Sequence, residues 1–146
     1  KMKPKEPLFD NVGRYLEAPE KGVKYFVPVG AVACGFEWVN SGSDLRHLSR
    51  GLAYNTKENA QKAVDQSKLK QSMRVFMAKE WRDSGKVLDW KDVYQMQYIA
   101  RLVSGKVECD WFYGAHHFIA LPSEESLDSF CTEFTDEQIK LVLEDA

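Results

Sequence analysis

The stretch from Asp44 to Ala60 constrains this chain more than any other. A degraded copy of its second half, Leu52-Ala53-Tyr54-Asn55-Thr56-Lys57-Glu58-Asn59-Ala60, recurs as Phe118-Ile119-Ala120-Leu121-Pro122-Ser123-Glu124-Glu125-Ser126-Leu127. Each copy spells a short apolar strand, a Thr or Ser placed to cap a helix, acids in the first helical turn, and small or apolar residues at helical spacing. A chain that writes this module twice is expected to pair sheet with helix in two related halves.

The remaining punctuation fits that expectation. Residues 23–39 read as β structure, an edge strand or a bulged hairpin, because Pro28, Gly30 and Gly35 interrupt the ladder. Asp44 is placed to cap a short helix carrying Arg46 and Arg50. Thr56 opens the longest helix, which Ser84-Gly85 ends. Its apolar stripe changes sides: Ala60, Ala63 and Val64 share one face, while Leu69, Met73 and Phe76 fall roughly opposite at helical pitch. The helix is therefore sandwiched between two surfaces or bends near Ser67.

Ser104-Gly105 has the composition of a two-residue hairpin turn and Gly114-Ala115 of a second. This register sets Arg101 opposite Glu108, Tyr98 opposite Trp111, and Trp111 opposite Phe118. It assigns Tyr98, Ala100, Leu102, Val107, Cys109, Trp111, Phe118 and Ala120 to a core face. Capped helices follow from Ser123 and Thr135. The predicted fold is α+β, with helices packed on an antiparallel sheet and the order suggesting two duplicated β-β-α halves. Residues 1–22 read as an N-terminal arm with a short helix at Leu8, Phe9, Val12, Tyr15 and Leu16, and residues 23–146 as one domain.

Composition bounds the function. A net charge of -2 over 146 residues argues against a whole-protein basic footprint for nucleic acid. The charge is segregated, however: nine Lys or Arg face five acids between Lys57 and Lys91, and ten acids face Lys140 alone from Glu108 onward. The three cysteines form no Cys-x-x-Cys pair, so neither a disulfide framework nor a zinc knuckle is written here. No apolar run approaches the roughly 20 residues that span a bilayer, and the first seven residues lack the apolar stretch of a secretory signal. A cytoplasmic protein is expected, and opening on Lys1 it reads as a processed product.

The segment from Asp44 to Ala60 resembles a pattern in small phage and prophage proteins of unknown function, where an Arg and a Gly precede an aromatic residue and Thr-Lys-Glu-x-Ala opens a helix. Those proteins are similar in continuing with an aspartate-tryptophan segment, here Leu88-Asp89-Trp90-Lys91-Asp92, then a hairpin around Gln97-Tyr98-Ile99, an aromatic strand and Ser-Glu-Glu. The resemblance covers most of the chain after residue 23, and implies a genomic context and a fold, with no catalytic residue. The chain departs from the pattern in its longer N-terminal arm and in Leu121-Pro122.

No motif for catalysis or a cofactor stands out, and a non-enzymatic protein is expected. His116, His117 and Cys109 do not converge from a regular strand, where neighbours point to opposite faces, so no metal site is expected. Cys109 and Cys131, assigned to the interior, read as inert, and Asp110 diagonal to His117 is an acid-base pair without a reaction. The expected function is binding of a host protein by a phage or mobile-element accessory protein, as an inhibitor of a host defence system. The expected surface is an apolar patch of Leu69, Met73, Phe76 and Met77, open to a partner or a homodimer mate, with the acids Glu124, Glu125 and Asp128. The alternative is nucleic-acid binding through Arg46, Arg50, Lys57 and Arg74.

Overall fold

Alternating apolar residues followed by a glycine turn make the first hairpin: β1 (Lys24–Val29) and β2 (Val32–Glu37) pair antiparallel, with Tyr25 opposite Phe36 and Pro28 opposite Ala33. The computed structural model describes residues 8–89, 91–114 and 117–144. Helix α1 (Gly42–Ser49) is capped by Ser41, whose hydroxyl accepts from Asp44 N. Asp44 is therefore the third helical residue rather than the cap, and completes a capping box by accepting from Ser41 N. Helix α2 (Lys57–Ser84) follows, then β3 (Met96–Val103), β4 (Lys106–Tyr113), β5 (Ala120–Leu121), α3 (Glu124–Glu133) and α4 (Asp136–Leu143). The fold is α+β, with antiparallel sheets of two and three strands among the described residues.

Contacts divide the chain into two compact units, one ending at Ser67 and one beginning at Lys68, a division inside the span of residues 23–146 read as one domain. The boundary falls where the apolar stripe of α2 changes face. Before it, Ala60 and Ala63 pack with Ala33, Tyr54 and Phe26. After it, Met73 and Met77 are core residues of the second unit, packed with Ala100, Leu121, Phe130 and Ile139.

The two units repeat one arrangement. In the first, Tyr54 bridges Phe26 on the side of β1 away from β2, and Thr56, two residues later, accepts from Asn59 N at 3.1 Å to cap α2. In the second, Leu121 pairs with Tyr98 of β3, and Ser123, two residues later, accepts from Ser126 N at 3.1 Å to cap α3. Each unit is thus a hairpin whose first strand also holds a short third segment leading into a capped helix. This matches the repeated module.

The second hairpin turns at Ser104 and Gly105, both with positive φ (52° and 77°), as a tight primed turn requires. Its register sets Tyr98 opposite Trp111 and Arg101 opposite Glu108, as expected. The expected pairing of Trp111 with Phe118 is corrected. β5 joins the opposite side of β3, in the order β4-β3-β5, so β4 is an edge strand and Ala120 lies opposite Ile99. Trp111, expected in the core, is 52% exposed, and Cys109 is exposed too, because β4 is the edge of its sheet among the described residues. The arm is also corrected: Asp10 accepts from Val12 N, Arg14 N and Arg14 Nε, making a turn rather than a helix, after which Tyr15 N donates to Ala53 O.

Candidate functional site

In the first unit, the most developed polar constellation is buried at the junction of β1 and α1. Alternation along β1 turns Tyr25 inward, where it is fully buried against Trp38, Phe36 and His47. Its hydroxyl donates to Asp44 Oδ1 at 2.5 Å and lies 2.9 Å from His47 Nδ1. A phenol has one proton, so Tyr25 accepts from His47, which fixes that imidazole with its proton on Nδ1. Asp44 Oδ2 accepts from Val39 N at 2.8 Å and Ser41 N at 3.1 Å. Burial alone would raise the Asp44 carboxyl; these hydrogen bonds, Tyr25 foremost, outweigh it and hold the group near about 2. Burial, reinforced by the Asp44 charge, pushes the Tyr25 hydroxyl well above its ordinary range. The arrangement orients the His47 imidazole through Tyr25. Asp44 and His47 are three residues apart on one helical face, which is the signal by which the pair is legible in sequence; the role of Tyr25 is not.

In the second unit, the residues of the expected partner patch divide between the core and its rim. Met73 is fully buried and Met77 8% exposed, with Leu69 and Phe76 packed on the same core. Phe76 meets the rings of Phe130 and Phe134 edge-on, at 5.6 and 5.9 Å. Residues of α3 and α4 cover Met73 and Met77, while Leu69 and Phe76 stay half-buried along a cleft that Val75 and Phe134 also line. Glu124, Glu125 and Asp128 on α3 are exposed as expected.

A different apolar surface is open instead. Trp111 and Tyr113, two residues apart on β4, share a face and meet edge-on at 5.7 Å, with Met96 opposite Tyr113. All three are exposed, Tyr113 by 56%; Trp111 and Tyr113 lie on the edge strand β4 and Met96 at the start of β3. A separate cavity of about 520 Å³ lies between α2 and the segment around β5, lined by Met77, Trp81, Leu88 and Phe118, with Arg74 and His117 supplying its polar groups. The Arg74 guanidinium lies 5.3 Å from the Phe118 ring centre, an arrangement suited to an apolar group with a negative end.

The other expected residues are divided between the two units. Arg46, Arg50 and Lys57 are exposed in the first unit, and Arg74 belongs to the second. Asp110 meets Arg101 at 3.5 Å, and His117 tilts against Phe112 rather than pairing with β4 as a strand residue. His116 lies outside the described residues, among which no cluster of three His, Cys, Asp or Glu is placed to hold a metal. No described helix is long and apolar enough to cross a membrane. Gln97 is fully buried on β3 with neither amide atom hydrogen-bonded.

No family model matches the chain, and no curated protein or solved structure matches it either.

Proposed function

We propose that this chain is a phage or mobile-element accessory protein that acts by binding a host protein in the host cytoplasm, without catalysis, and so inhibits a defence component. The observation that carries the binding reading is the exposed aromatic ledge of Trp111, Tyr113 and Met96. Trp and Tyr are the side chains that most often anchor protein interfaces, and soluble chains rarely leave such groups clustered in water without a use. Trp111 and Tyr113 lie on the edge strand of their sheet, a position at which partner chains are often met. Exposed Glu124, Glu125 and Asp128 on α3 of the same unit add negative charge that a partner with basic groups would complement. The resemblance to phage proteins supplies the genomic half of the proposal.

The test is capture of proteins from a bacterial lysate, with and without nuclease treatment, on the immobilised chain, with identification by mass spectrometry. Retention of a host protein that survives nuclease treatment supports the reading. Retention that depends on nucleic acid, together with loss on Arg46→Ala and Arg50→Ala, moves the assignment to the exposed basic residues of the first unit, through phosphate contacts sensitive to salt.

A further inference from the structure

Cys109 and Cys131 bring their Sγ atoms to 3.7 Å from two different elements, β4 and α3. Cys109 is exposed and Cys131 half-buried, while Cys34 belongs to the other unit. The hairpin register sets Cys109 opposite Ala100, a core residue packed with Phe130 of α3, so the strand and the helix are already held together where the thiols meet. A disulfide has its sulfurs about 2.05 Å apart, so closure asks for side-chain rotation and a small approach rather than a new arrangement of elements.

We propose that Cys109 and Cys131 form a covalent modification site, a dithiol that closes to an intramolecular disulfide on meeting a small-molecule disulfide such as oxidised glutathione. The exposed Cys109 meets the oxidant first. Its thiolate attacks one glutathione sulfur, a Cys109–glutathione bond forms, and the first glutathione leaves as a thiolate that takes up a proton. Cys131 then attacks Cys109 Sγ, losing its own proton as the sulfur–sulfur bond forms and the second glutathione departs. Two protein thiols are oxidised and one glutathione disulfide is reduced to two thiols. The assignment of roles agrees with local electrostatics. Burial, the contact with Cys109, and the negative charges of Asp136 and Asp128 push the Cys131 thiol up to about 12, which disfavours it for first attack, while its 3.7 Å approach to Cys109 Sγ places it to resolve the mixed disulfide. The product ties β4 to α3 and should raise the thermal unfolding midpoint of the second unit by several degrees.

The experiment treats the full reduced chain with oxidised glutathione and follows its intact mass. The expected product is a monomer lighter by about 2 Da, the loss of two thiol hydrogens, with the Cys109 and Cys131 peptides joined in a non-reducing digest. Cys34→Ser should close equally, and Cys131→Ser should stop at a glutathione adduct on Cys109. A wild-type chain that keeps the adduct, forms a covalent dimer through Cys109, or stays fully reduced would overturn the proposal, and this reading stands on wild-type mass alone, independent of how the variants fold.

Discussion

The Tyr25 hydroxyl donates to Asp44 Oδ1 across 2.5 Å, joining the first hairpin to the helix that follows it. Because Asp44 is held near about 2 against an ordinary 3.8, its contribution to stability is complete above the unfolded carboxyl's range and is lost as pH falls through about 4 toward 2. Tyr25→Phe removes the strongest of the hydrogen bonds while leaving a buried carboxylate, at a cost of about 1–3 kcal/mol. Near-ultraviolet circular dichroism during acid titration should show the variant losing structure at higher pH than wild type. Coincident acid transitions would separate Asp44 from the stability of this unit.

The covered face of α2 makes a second prediction. Phe130 is fully buried against Phe76 and Phe134, so Phe130→Ala should cost about 3–5 kcal/mol, as other buried aromatic truncations do. Met73→Asp with Phe76→Asp should unfold the second unit, because the first would bury an unpaired charge at a fully buried position and the second would remove the ring packed on Phe130 and Phe134. A folded double variant, judged by amide dispersion in NMR spectra, would mean that the face opens.

The repeated caps predict paired losses. Thr56→Ala and Ser123→Ala each remove one side-chain acceptor from a helix start, and each should cost about 1 kcal/mol in denaturant unfolding. A negligible effect at one site would break the equivalence of the two modules.

Gln97 points the other way. With both amide atoms buried and without partners, Gln97→Met keeps the volume and removes the desolvation penalty, so stability should rise by about 1 kcal/mol in urea unfolding. A marked loss would show that the amide is satisfied in solution.

Much of the fold is legible in local chemistry. The Ser104-Gly105 turn, the pairing of Tyr98 with Trp111, the Ser123 and Thr135 caps and the change of face near Ser67 all depend on neighbours in sequence, where turn geometry and side-chain period act directly. The position of Trp111 is not legible in that way. Alternation tells which face a strand residue takes, but exposure depends on which side of β3 receives β5 and on how far the helices reach across the sheet. The same holds for the partner patch: the pattern shows that Leu69, Met73 and Phe76 need cover, and only tertiary packing shows that α3 and α4 supply it. The Tyr25–Asp44 bond and the Cys109–Cys131 approach join residues 19 and 22 positions apart, beyond any periodicity.

The central claim is that the Trp111–Tyr113 ledge binds a protein, and the most direct measurement compares host-protein capture by the wild-type chain and by Trp111→Ala, Tyr113→Ala. Both side chains are more than half exposed, so the double variant should stay folded, with a stability loss of about 1 kcal/mol or less. One host protein enriched by the wild type should fall at least about tenfold with the variant, the loss expected from removing interface anchors. Equal retention of that protein by a folded double variant would contradict the claim.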